Sequence, residues 1–146
     1  MGKANIDRYL TTISSPDCFL SVDLEIFSRF KLESLVAEFG KRVDTLYLGP
    51  EFGFNKAVLE IAGHPKSPDL CIVAFCKLVR SLPSRERALW RSAKARTFDI
   101  GIEAPAKGSN YWSPISAKTV LAAAEVNARI AISVYNPKNR KRSQAG

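Results

Sequence analysis

The segment FLSVDLEIFS, residues 19–28, alternates apolar and polar side chains along its length. Its apolar set is Leu20, Val22, Leu24 and Ile26, and its polar set is Ser21, Asp23 and Glu25. Because successive side chains of a β-strand point to opposite faces, this alternation predicts a strand with one face in the core and the other in water. A sheet built from such strands needs a covering layer on one side only.

Helical patterns follow in four places. Apolar residues at helical spacing predict helices over residues 31–39, 68–82 and 85–93. Ser67 followed by Pro68 is a typical helix start, and Ser84 is placed to cap the third helix. A last helix of about ten residues is capped by Ser116 and stops near Asn127. The apolar residues of this last helix are Val120, Leu121 and Ala124.

Four further segments are predicted to be strands, over residues 45–48, 55–62, 97–103 and 128–135. A loop containing Gly49, Pro50 and Gly53 is expected between the first two of them. The residues expected to point inward are Leu59 and Ile61 in the second, Phe98, Ile100 and Ile102 in the third, and Ile130, Ile132 and Val134 in the last.

The order strand, helix, strand, strand, helix, strand is the split βαβ arrangement of ferredoxin-like folds. A further helix and a fifth strand extend it toward the C-terminus. We therefore predict one α+β domain over residues 1–137, with the helices on one face of a mainly antiparallel sheet. Residues 138–146 are expected to form a basic, flexible tail.

The composition is that of an ordinary globular protein, with 46% hydrophobic and 25% charged residues in 146. The longest apolar runs, such as Leu70–Phe75, are far shorter than the roughly 20 residues that cross a membrane. Residues 1–12 lack the apolar centre of a secretory signal. The three cysteines are odd in number and show no CxxC spacing, which argues against a disulfide framework or a zinc site. We expect a cytoplasmic protein that is not inserted in a membrane.

The net charge of +8 and the isoelectric point near 9.6 raise nucleic acid as a partner. Four of the positive charges lie in residues 138–146. Arg87, Arg91 and Lys94 follow one another at helical spacing beside Trp90, and such a stripe would lie well against phosphates. The plainer interpretation is a solvated helix face on which arginine stems cover apolar neighbours.

Acidic residues fall at outward positions of the predicted strands. If the strands are neighbours, one sheet face carries Asp23, Glu25, Glu60, Asp99 and Glu103. This arrangement suits a docking surface for a cationic partner or a weak site for a hard metal ion. The simpler alternative is a solvated sheet face, since outward positions must be polar in any case.

Aromatic residues are frequent in the predicted loops, with Phe52 and Phe54 in one and Tyr111 and Trp112 in another. Exposed aromatic residues often anchor protein interfaces. We therefore take Phe54, Tyr111 and Trp112, together with the five carboxylates, as candidate partner-binding residues. Trp112 has an equally simple structural role, which is to cover the end of the core.

No catalytic, cofactor-binding or metal-binding residues are predicted. His64 is the only histidine, and no nucleophile motif surrounds Ser14, Ser15 or Cys18. Sequence distance leaves open a dyad of Cys18 with His64. An enzyme is a third class of function, and it would require a cleft that gathers His64 with some of the carboxylates. The scattered glycines form neither a dinucleotide-binding fingerprint nor a P-loop.

The C-terminal half resembles small uncharacterised bacterial domains that include immunity-type proteins. The resemblance rests on Trp90, on Phe98-Asp99-Ile100-Gly101, on Ile115-Ser116 and on Val134-Tyr135-Asn136-Pro137. It implies a stoichiometric partner, typically a toxin, and it carries over no catalytic residues. The resulting hypothesis is a non-enzymatic protein-binding module of the immunity or inhibitor type. The alternative is a nucleic-acid-binding accessory protein that uses Arg87, Arg91, Lys94 and the tail, and the oligomeric state is left open.

Overall fold

The computed structural model describes residues 18–137. The basic tail predicted over residues 138–146 and the N-terminal residues 1–17 lie outside this range. In chain order the elements are β1 (Phe19–Ser28), α1 (Glu33–Phe39), a 3-10 turn (Gly40–Arg42), β2 (Val43–Glu51), β3 (Phe54–Ile61), α2 (Pro68–Arg80), α3 (Ser84–Ser92), β4 (Ala95–Glu103), α4 (Ala117–Glu125) and β5 (Arg129–Tyr135). No helix of the described range is long and apolar enough to span a bilayer.

The strands form one five-stranded mixed sheet in the order β2-β3-β1-β4-β5. Neighbours are antiparallel from β2 to β4, and β5 is parallel to β4. The parallel pair follows from the crossover through α4, since two parallel neighbours cannot be joined by a tight turn. The prediction of an α+β domain is confirmed, with four α-helices between residues 18 and 137.

The core lies on the side of the sheet that the alternation in β1 predicts. Val22, Leu24 and Ile26 are almost fully buried, and the inward residues predicted in β3 and β4 are buried beside them. Buried side chains from all four helices complete a single hydrophobic cluster with these strands. Its centre includes the stacked rings of Phe75 and Phe98, 5.6 Å apart. Complete burial of a side chain of this kind contributes about 1.5–3 kcal/mol to the free energy of unfolding.

Two of the three predicted serine caps are confirmed. The hydroxyl of Ser67 accepts a hydrogen bond from the Leu70 N–H, and that of Ser116 accepts one from the Thr119 N–H. The Asp69 carboxylate also accepts the Ser116 N–H at 2.8 Å, which ties the start of α4 to the start of α2. The cap predicted at Ser84 is wrong, because α3 begins one residue earlier than expected and its N-cap is Pro83.

The hairpin between β2 and β3 is tighter than predicted. Gly49 and Pro50 lie within β2, and only Phe52 and Gly53 separate the paired residues Glu51 and Phe54. Both loop residues have positive φ, as a two-residue hairpin turn with the twist of the strands requires. The prediction of a longer loop was wrong because proline is tolerated in an edge strand, where its missing N–H costs no ladder hydrogen bond.

The last strand also differs from expectation. Ile132 and Val134 point to the core side of the sheet, as predicted, but 65% and 64% of their surfaces are exposed. They stand in register with Ile100 and Ile102 of β4, on the core side of the sheet. α4, the helix before β5, contacts α2 more extensively than it contacts β5, and its buried residues are Thr119 and Ala123.

Candidate functional site

The predicted acidic residues lie on the side of the sheet opposite the core. Alternation along β1, β3 and β4 places there Asp23, Glu25, Glu60, Asp99 and Glu103. We call this side the carboxylate face. All five residues are partly exposed.

Three of these carboxylates occupy neighbouring positions on three adjacent strands. Asp23 lies directly across from Asp99 in the β1–β4 ladder. On its other side, the register that pairs Leu24 with Leu59 brings Glu60 next to it. Such neighbours in a sheet have Cβ atoms about 4.5–5.5 Å apart, close enough for strong repulsion between like charges.

Burial and the arrangement of these acids raise the pKa of Asp23. Burial, repulsion by Glu60 and a hydrogen bond shared with the Glu60 carboxyl raise the pKa of Asp23 to about 6, with a smaller contribution from Asp99. The Ser21 hydroxyl opposes the change by donating to Asp23 Oδ1 at 3.1 Å. The Asp23 carboxyl keeps its proton to a higher pH because its charged form is poorly hydrated and lies between two other acids.

The flanking strands add polar partners that sequence reasoning missed. The Ser133 hydroxyl of β5 lies 2.8 and 2.9 Å from the two carboxylate oxygens of Asp99. His64 lies 3.9 Å from Asp44 and 3.8 Å from Glu60, measured between ring nitrogens and carboxylate oxygens. The grouping of His64 with carboxylates, which sequence reasoning left open, involves Glu60, four residues before it, and Asp44, which the register between β2 and β3 brings close.

The basic side chains on the carboxylate face, Lys56 and Arg129, interact with groups other than Asp23, Glu60 and Asp99. Lys56 pairs with Glu51 at 2.7 Å, and Arg129 donates from Nε to the Thr97 hydroxyl at 2.8 Å. Among residues 18–137, no lysine or arginine forms an ion pair with Asp23, Glu60 or Asp99. The central carboxylates are therefore not neutralised by any lysine or arginine in residues 18–137, and the nearest basic group is the His64 ring beside Glu60.

Within the described range, no group of three or more His, Cys, Asp or Glu side chains is arranged to hold a metal ion. No contact joins Cys18 to His64 among the described residues, and His64 lies near acids instead. Burial raises the pKa of the Cys71 thiol to about 11, as expected for a cysteine that packs as a small apolar residue.

The candidate aromatic anchors Phe54, Tyr111 and Trp112 are all partly buried. Tyr111 packs against the core with its hydroxyl buried, and Trp112 and Phe54 are also partly buried. Among residues 18–137, the most exposed aromatic residue is Phe52, at 87%. The position of Phe52 directly before Gly53 could have indicated a hairpin tip and therefore an exposed side chain. The prediction of a longer loop obscured this signal.

The predicted basic stripe is only partly formed. Arg87 and Arg91 lie one turn apart on α3, whereas Lys94 follows the end of that helix. Arg87 donates a hydrogen bond to the carbonyl oxygen of Arg80, at the end of α2. Arg91 and Lys94 are exposed. Arg87 therefore has a structural role at a helix end, and the stripe is shortened to two exposed cations.

No family can be assigned by comparison with known proteins. Neither the models of protein families, nor the curated proteins, nor the solved structures gave a match to this chain. A functional assignment therefore rests on the residues and geometry described above.

Proposed function

We propose that this chain is a non-enzymatic, cytoplasmic module that binds a cationic partner protein through the carboxylate face, in the manner of an immunity or inhibitor protein. One observation carries the proposal. Asp23, Glu60 and Asp99 occupy adjacent positions on three strands, and no described lysine or arginine neutralises them.

Like charges in neighbouring sheet positions destabilise the free protein. A lysine or arginine side chain brought by a partner would enter a site where two or three carboxylates act on it together. The attraction is then larger than at an isolated surface acid, and the repulsion between the acids is relieved at the same time. The strands hold the three side chains at fixed spacing, which favours recognition of one arrangement of cations.

We further infer that the fold is of the ferredoxin-like split βαβ type, extended by α4 and β5, with the helices on one face. The order β4-β1-β3-β2 with antiparallel neighbours supports this inference. It leaves the opposite face of the sheet available for a partner.

Two charge-neutralising variants test the proposal. The full-length protein, the Asp23→Asn/Glu60→Gln/Asp99→Asn variant (the carboxylate variant) and the Arg91→Gln/Lys94→Gln variant (the arginine variant) are each immobilised and exposed to an extract of the producing cells. Bound proteins are then identified by mass spectrometry. We expect a basic protein to bind the wild type and the arginine variant and to be lost from the carboxylate variant. The removal of repulsion should stabilise that variant, so lost binding would not reflect unfolding.

Exposed Arg91 and Lys94 favour the second candidate function, binding of nucleic acid. If the protein binds nucleic acid, its affinity for a single-stranded RNA or DNA probe should fall steeply as the salt concentration rises, because phosphate contacts release counterions. Binding of such a probe that is lost in the arginine variant, with no protein captured through the carboxylate face, would contradict the first proposal.

A further inference from the structure

β5 forms one edge of the sheet and has no strand partner on its outer side among residues 18–137. The carbonyl oxygen of Tyr135 accepts a hydrogen bond from Ala104, so the backbone of Tyr135 is directed toward β4. Successive residues of a strand direct their N–H and C=O groups to opposite sides. The backbone groups of Ile130, Ile132 and Val134 are therefore directed to the outer edge.

The two edges of the sheet differ in how they are protected. The β2 edge contains Pro50, the charges of Asp44 and Glu51, and a register irregularity between residues 45 and 47. Prolines, charges and bulges are the features that commonly prevent an edge strand from pairing with another chain. The run from Ile130 to Tyr135 contains none of them. Its two central apolar side chains, Ile132 and Val134, are mostly exposed.

We propose that β5 pairs with β5 of a second copy of this chain, antiparallel and about a two-fold axis at Ile132. In this register Ile132 lies opposite Ile132 of the second copy, and Ile130 lies opposite its Val134. All of these residues direct their backbone groups to the edge, so each opposed pair exchanges both N–H···O=C hydrogen bonds. The two sheets become one sheet of twice the width, in a closed, symmetric dimer.

The charges at the ends of β5 fit this pairing. Arg129 is the only charged residue in β5, and the two-fold axis places it opposite Tyr135 of the second copy. The two arginines of the dimer therefore lie at opposite ends of the paired strands, and no like charges face each other across the edge. On the core side, the exposed apolar side chains of both strands form one continuous strip, and contact between neighbouring side chains of the two strands buries part of their surface.

This inference does not depend on the proposed function, but it has a consequence for it. Antiparallel pairing within one sheet places the core sides of both copies on the same side of the joined sheet. The dimer would therefore present two carboxylate faces on one side.

The first test is the molar mass of the full-length protein, measured by size-exclusion chromatography with light scattering over a range of concentrations. We expect a mass of twice 16.1 kDa that falls on dilution. Ile132→Lys should raise the dimer dissociation constant by about 100-fold or more, because it places a charge at the centre of the edge. Leu121→Lys is the matched control, since Leu121 is 58% exposed but lines a groove between α2 and α4. It should remain dimeric.

Hydrogen exchange on the wild type locates the interface without any variant. The amides of Ile130, Ile132 and Val134 should be protected at high concentration and should lose protection as the dimer dissociates. A monomer at every concentration overturns the proposal. So does a dimer in which these amides exchange freely. Protection that is independent of concentration would also overturn it, because another part of the same chain would then cover the edge.

Discussion

At the scale of single residues, Asp23 shows how neighbouring strands set the protonation of a side chain. Its raised pKa of about 6 means that the folded protein binds a proton more tightly than the unfolded chain, where the value is 3.8. Between these two values, unfolding releases a proton, so the free energy of unfolding falls as the pH rises. Above pH 6 the full penalty of the charged carboxylate is present, and below pH 3.8 it is absent.

Asp23→Asn should therefore stabilise the protein at pH 7. A pKa change of this size corresponds to about 3 kcal/mol at full strength, and partial exposure reduces it by solvent screening to on the order of 1 kcal/mol. Urea unfolding at pH 7 and at pH 4 measures the effect, which should be present at pH 7 and nearly absent at pH 4. Equal stabilisation at both values would mean that charge is not the cause.

Glu25→Gln is the matched control for that comparison. Glu25 lies on the same strand and the same face, but it interacts favourably with Lys56. Its neutralisation removes an attraction instead of a repulsion. We expect no stabilisation at pH 7, and a gain as large as that of Asp23→Asn would point to the net charge of the protein instead of the local cluster.

At the scale of elements, the junction of α3 with β4 depends on a single arginine. Arg96 donates hydrogen bonds at 2.9 Å to the carbonyl oxygens of Trp90, Ala93 and Asn127. The indole of Trp90 in turn donates to the carbonyl of Val126 at 2.9 Å. These bonds join the end of α3 to the turn that follows α4, and burial lowers the pKa of Arg96.

Arg96→Lys should lower the free energy of unfolding by about 1–3 kcal/mol, because an ammonium group cannot reach three carbonyls that a planar guanidinium holds together. Urea unfolding followed by tryptophan fluorescence measures the change. Arg91→Lys is the control, since Arg91 is exposed and should alter stability by less than about 0.5 kcal/mol. Similar losses in both variants would show that Arg96 has no special role.

Local sequence patterns were enough to predict where strands and helices lie, but not which residues of different strands are neighbours. The alternation in β1 gave its bounds and its buried face, because both depend on side chains within one strand. The proximity of Asp23, Glu60 and Asp99 requires the registers of two ladders, which pairing between distant segments determines. The exposure of Ile132 depends on how far the helix layer extends, and no local signal in β5 reports that.

At the scale of the whole molecule, a chain with a net charge of +8 carries its central cluster of acids on one side of a sheet. Basic residues such as Arg91 and Lys94 lie elsewhere and are exposed. At physiological ionic strength, charges more than about 8 Å apart in solvent are largely screened from each other. A cationic group close to Asp23 would therefore respond to the local acids more than to the net charge.

Binding of the partner at Asp23 should release protons near pH 6. The carboxyl is about half protonated there in the free protein, and a cation between Asp23, Glu60 and Asp99 favours its charged form. Affinity should therefore increase from pH 5 to pH 7, and calorimetry at pH 6 in two buffers of different ionisation enthalpy should show release of up to about half a proton. His64 lies 3.8 Å from Glu60, so His64→Gln serves as a control: release that survives this change and is lost in Asp23→Asn comes from Asp23. Equal heats in the two buffers for the wild type would mean that the partner does not bind at the carboxylate cluster.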